Sequence, residues 1–164
     1  MTLKNLKDVY IDQLQDLYSA NKQAVGATQK LQTQCHDPDL KDALKRGVEG
    51  INEGIQTVER IILAHGEDPT AEFCKGMQGL VKEAQAHAID ADFADGTVRD
   101  AMIITQYQRM THYGMAGYGC VAAFARQLGL NDEAAELKRC LEATRHGDRT
   151  MSELAEGKIN LDAA

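Results

Sequence analysis

The stretch Leu44–Ile62, LKRGVEGINEGIQTVERII, decides the fold. Its apolar residues Leu44, Val48, Ile51, Ile55, Val58 and Ile62 step by four or three positions, which lines them along one face of a helix; a strand would alternate in twos. Working outward, the two prolines, Pro38 and Pro69, bracket this segment in the polar breaks His36-Asp37-Pro38-Asp39 and Gly66-Glu67-Asp68-Pro69-Thr70. Further breaks fall at Asp95-Gly96-Thr97, where Thr97 is the expected N-cap, and at Gly129-Leu130-Asn131-Asp132. There Gly129 suits a helix C-terminus and Asn131 or Asp132 an N-cap.

This punctuation predicts five helical segments, over 4–34, 39–65, 70–92, 97–128 and 132–156, the third shorter or irregular. The first carries Leu14, Leu17, Ala24 and Leu31 on one stripe and the fifth Leu137, Leu141, Met151 and Ala155; each must bury that stripe against neighbours. Two pairs of long helices, with a shorter helical piece in the connection between them, predict an all-α four-helix bundle with a long crossover. All 164 residues are expected to form one domain, with about 158–164 as a C-terminal tail.

Composition narrows the function classes. Apolar residues make up 43% and charged residues 26%, the balance of a water-soluble globular chain. No apolar run is long enough to span a membrane, and the opening residues lack the apolar core of a secretory signal, so a cytoplasmic location is expected. A formal charge of −7 opposes direct nucleic-acid binding; the basic clusters Lys41, Lys45, Arg46 and Lys138, Arg139, Arg145, Arg149 are interleaved with acids and read as solvated faces. Cys35, Cys74, Cys120 and Cys140 form no Cys-x-x-Cys pair and are expected to be reduced. Met77, Met102, Met110, Met115 and Met151 sit at helical spacing and read as packing residues.

Extending the apolar stripes through their polar members picks out a layer at mid-length. Asn21 lies on the first stripe, Asn52 beside the second, Gln108 and Thr111 on the fourth, Thr144 and Asp148 on the fifth. A polar ring at that height is where bundles build metal or cofactor sites, but Asn and Thr are neutral and a metal pair needs several carboxylates. The expectation is a neutral layer whose members bond to one another or to trapped water. The glycines Gly114, Gly117 and Gly119, and Gly47, Gly50 and Gly54, weaken their helices and predict the close approach of another helix, from the same chain or a second subunit, with Tyr113 and Tyr118 beside the first group. No phosphate loop, nucleophile elbow or Cys-His pair with an orienting acid is present, so the motifs lean away from an enzyme without deciding the matter.

LQDLYSANKQ at Leu14–Gln23, Val58-Glu-Arg-Ile, Gly79-Leu-Val-Lys-Glu-Ala, Val98-Arg-Asp-Ala, His112-Tyr113, Ala116-Gly-Tyr-Gly and Leu154-Ala-Glu-Gly together resemble the YciF/YciE-type ferritin-like proteins, in order across nearly the whole chain. The resemblance implies a small ferritin- or rubrerythrin-like bundle, bacterial, stress-associated and homodimeric, with two metal ions held by glutamates and a histidine. Its pattern would place ligands at Asn21, Asn52, Ile55, Thr111, Gly114 and Thr144, none of which is retained. The remaining candidate metal ligands are Asp16, Glu49, Glu53, His112 and Asp148. The expected function is a structural or interaction module with a degenerate metal centre and no cofactor. The alternative is an iron or manganese oxidoreductase, an oxidase or peroxide scavenger, using those displaced ligands.

Overall fold

A computed structural model describes residues 2–164. Its long helices are α1 (Leu6–Gln34), α2 (Pro38–Ala64), α4 (Gly96–Gln127) and α5 (Asn131–Leu154). The short α3 (Lys75–Ala84) runs into a π-helical turn at Gln85–Ile89 inside the crossover, as the irregular third segment predicted. α1 packs on α2 and α4, and α5 packs on the same two, so α2 and α4 oppose each other across one diagonal of the bundle. The Arg99–Gln34 hydrogen bond near one end and the approach of Gly117 to Leu17 further along make α4 antiparallel to α1. The crossover therefore joins two helices, α2 and α4, that point the same way.

The helix starts are made by side chains that accept from first-turn N–H groups. Asn5 accepts from Asp8 N at 3.0 Å, and Asp37, followed by Pro38 at the first helical position, accepts from Asp39 N and Leu40 N at 2.9 and 3.0 Å. α4 is capped by Asp95 rather than the expected Thr97: the Asp95 carboxylate takes Thr97 N at 2.9 Å and Val98 N at 3.2 Å, so the helix begins one residue earlier. α5 has no side-chain cap, because the turn after α4 is too tight to leave Asn131 outside the helix; Asn131 is its first residue. Gly129, with φ of +75°, closes that turn and lets Leu130 N reach Ala125 O at 2.9 Å.

The C-terminal residues are more ordered than a tail from 158 would be. A π-helical turn over Ala155–Ile159 leads to a last helical turn, Asn160–Asp162; Ile159 is buried and Lys158 bonds Asp37 Oδ2 at 2.6 Å. The buried apolar residues fall into two clusters. One gathers Leu31, Leu40, Leu44, Met77, Ile103, Tyr107 and Met151 toward one end, the other Tyr10, Leu14, Leu17, Val58, Ile62, Tyr118 and Leu137 toward the other. Met77, Met110 and Met151 are buried packing residues, and Met102 and Met115 are half-buried against the clusters. The residues that part the two clusters form the layer of interest.

Candidate functional site

Asn21 and Thr111 are buried at mid-bundle and Thr144 is half-buried there, as the stripes required. Asn52 is not; it is exposed, because the inward face of α2 at this height is Gly47, Gly54 and Thr57, about 140–160° around the helix from Asn52. Ile55 is buried in one apolar cluster and Gly114 is buried facing α5. Gln108 is half-buried and donates to Asp148 and Ser152 along the α4–α5 seam.

Two tyrosines of α4 cross the diagonal to α2, and glycine makes the room. A Cβ at Gly54 would stand 2.1 Å from the Tyr118 hydroxyl, and one at Gly47 would stand 2.4 Å from that of Tyr107. The glycines on α2 thus admit tyrosine tips rather than a neighbouring backbone. Gly117 does serve close approach, with Leu17 of α1 2.9 Å from its would-be Cβ, while Gly119 meets nothing within 4 Å. Within the run Gly114–Gly119, Gly114 and Tyr118 are buried and Gly117 faces α1, while Ala116 is exposed.

The layer is less interlinked than a ring of neutral groups suggests. Asn21 Nδ2 donates to Tyr118 Oη at 2.9 Å and Gln108 Nε2 to Asp148 Oδ1 at 3.2 Å; among the described residues these two pairs are the hydrogen-bonded links between members of the layer on different helices. The threonines turn back on their own helices: Thr28 donates to Ala24 O at 2.8 Å, Thr111 to Tyr107 O at 2.9 Å and Thr144 to Cys140 O at 2.7 Å. Burial raises the Tyr118 and Tyr107 hydroxyls above the ordinary phenol range, so both are neutral donors at physiological pH.

The candidate ligands do not meet. Asp148 pairs with His112 at 3.0 Å on the α4–α5 seam, with the histidine ring exposed. Asp16 accepts from Tyr113 Oη at 2.8 Å, on the α1–α4 side. Glu49 and Glu53 are exposed on α2; Glu53 lies at the rim of the centre. Among the described residues no three His, Cys, Asp or Glu side chains come together as a metal cage would need. A pair of divalent ions requires several carboxylates to offset its charge, and the groups that face the centre are neutral, so the residues present do not fit the metal pair that the resemblance implies.

Two polar arrangements escaped the sequence reading. Cys74 Sγ lies 2.9 Å from Tyr113 Oη, which in turn donates to Asp16, and the same sulfur accepts from Met77 N to cap α3. At the bundle end, the buried carboxylate of Asp100 accepts from His36 N at 2.8 Å and Asp37 N at 2.7 Å, fastening the α1–α2 turn to α4. The first joins residues from three separate elements and left no local signal; the second could have been suspected from an acid placed on an apolar face.

Four long helices, a long crossover and a polar layer at mid-length define a ferritin-like bundle. The chain belongs to the DUF892 family, described as a domain of unknown function, whose model matches residues 5–164. It is 31% identical to Protein YciF of Escherichia coli (strain K12) over 164 residues, covering 99% of this chain and 98% of that one. The crystal structure of the E. coli stress protein YciF superposes with a TM-score of 0.88 at 31% identity, covering 96% of this chain and 99% of that chain. YcfI of Rhodopseudomonas palustris, proposed to be a structural protein, superposes with a TM-score of 0.84 at 29% identity over 91% of this chain and 94% of that chain. Among the described residues no helix is long and apolar enough to cross a membrane.

Proposed function

We propose that this protein is a stress-associated structural or interaction module of the cytoplasm, acting as a homodimer, whose bundle has kept the geometry of a di-metal centre and replaced its chemistry. The observation that carries the reading is the set of groups facing mid-bundle: Asn21, Gly54, Thr111, Tyr118 and Thr144, all neutral, with the two bordering acids, exposed Glu53 and half-buried Glu136, at the rim. The kinship with a protein known as a stress protein supports the association with stress, and the neighbour proposed to be structural supports a role without turnover. Exposed Leu63 and Phe73 are apolar side chains available to a second subunit.

The test is a metal count. The chain is purified without a histidine tag, incubated with excess Fe(II) or Mn(II), desalted and analysed by elemental analysis, and well under one ion per chain is expected. Close to two ions per chain would sink the reading. Light scattering behind a sizing column is expected to give twice the 18.0 kDa chain mass.

A further inference from the structure

The layer borders a cavity of about 720 Å³ with its mouth between α2 and α5, within the size range of pockets that take small organic molecules. Its walls are not small merely so that helices may touch. A Cβ placed on Gly50 or Gly147 would meet nothing within 4 Å, and one on Gly114 would first meet Thr144 Cγ2 at 3.9 Å. The space between α2 and α5 is held open by the rest of the fold.

A second observation is independent of those small residues. Tyr107, Tyr118 and Asn21 are only 5%, 4% and 6% exposed, and all three line the cavity. The Tyr107 hydroxyl stands near the side chain of Thr111, which gives its own proton to the Tyr107 carbonyl and keeps its oxygen lone pairs free to accept from the phenol. Tyr118 Oη accepts from Asn21, which leaves the phenol proton and Asn21 Oδ1 without partners among the described residues. One phenol donor, Tyr118, and one amide acceptor, Asn21, thus open side by side onto the cavity beside Gly54 with bonding capacity free for a molecule lodged there.

We propose that the mid-bundle cavity binds a small uncharged amphipathic molecule, an apolar ring or short chain carrying one hydroxyl or carbonyl group. Its polar group meets Tyr118 and Asn21, its apolar body lies against Ile51, Met110 and Met151, and Tyr107 lines the same cavity beside Gly47, about two helical turns along α2 from Gly54. No charged side chain stands at the buried end, which selects against an ion. Charges of both signs stand at the mouth, where Arg46 pairs with Asp42 and Glu136 with Arg60, so the entrance carries no strong bias of sign. The inference rests on the reading that no metal pair fills this centre.

The test uses p-cresol as probe. Metal is counted first on the chain as purified, since a bound pair overturns the functional reading by itself; the chelator-treated chain is then titrated with p-cresol by calorimetry and by amide chemical shifts. Saturable binding at one site is expected, with the largest shifts at Gly47, Gly54, Gly114 and Gly147. In Gly147→Leu, which fills the cavity from an open position, binding should weaken at least tenfold; Ala143→Leu serves as a second filling variant if the first does not fold. Absence of saturable binding, or equal binding by a folded filling variant, overturns the proposal.

Discussion

The bundle treats polar groups in opposite ways at its middle and at the end where α1 turns into α2. At that end a full charge is buried, and every part of it is used: Asp100 takes two backbone N–H groups, Asp37 takes two more and the ammonium of Lys158. At the middle no charge is buried, yet neutral donors and acceptors are left over. Burying a carboxylate is tolerable when its hydrogen bonds are complete, so the end has the features of a joint and the middle those of a receptacle.

The comparison breaks if the joint proves dispensable. Asp100→Ala would leave the N–H groups of His36 and Asp37 buried without acceptors, and a loss of about 3 kcal/mol in urea unfolding is expected. A loss under 1 kcal/mol would mean that water replaces the carboxylate and that the end is no tighter than the centre. The middle is probed by Gly54→Ala, whose new methyl must displace the Tyr118 hydroxyl and its bond from Asn21. It should cost about 1–2 kcal/mol despite alanine's better helix propensity. In a Tyr118→Phe background the same change should be neutral or stabilising, and equal costs in both backgrounds would refute the diagonal contact.

A smaller effect is expected from acid. Burial alone would raise the Asp37 carboxyl, but the Lys158 ammonium and the N–H of Leu40 outweigh it and hold it below the ordinary value of 3.8. A carboxyl held low in the folded state contributes stability that is complete above its unfolded value and drains away as pH falls through the folded one. Stability should therefore decline between about pH 5 and 3, and Asp37→Asn, which keeps a capping oxygen, should flatten that decline; an unchanged slope would assign the acid sensitivity elsewhere. The smallest effect is expected at Asn52→Ala, within about 0.5 kcal/mol by thermal melting, since the side chain is exposed. A larger cost would restore Asn52 to the layer.

How much was legible follows from the range of each signal. The four long helix spans, the crossover and the inward Asn21 and Thr111 come from periodicity within one helix, and those spans stand within two residues; the third, expected over 70–92, runs only from Lys75 to Ile89 because the residues after Pro69 form a turn. Asn52 was misplaced because α2 carries glycine at Gly47, Gly50 and Gly54, and a face marked by absent side chains gives no hydropathy signal. The capping of α4 by Asp95 in place of Thr97 shows a local competition that only geometry resolves. The Tyr118–Gly54 and Tyr113–Asp16 contacts join residues far apart in sequence, and nothing near either partner announces the other.

The cysteines add a chemical clock. Cys120 is exposed, whereas Cys35 is buried at the joint, its thiol pushed up to about 12 by burial and the neighbouring Asp100 charge. Alkylation by iodoacetamide near pH 8 should therefore modify Cys120 promptly and reach Cys35 only during excursions that part α1 from α2. The mass spectrum of a timed quench would then report how often the molecule unlatches, with no label beyond the sulfur atoms it already carries.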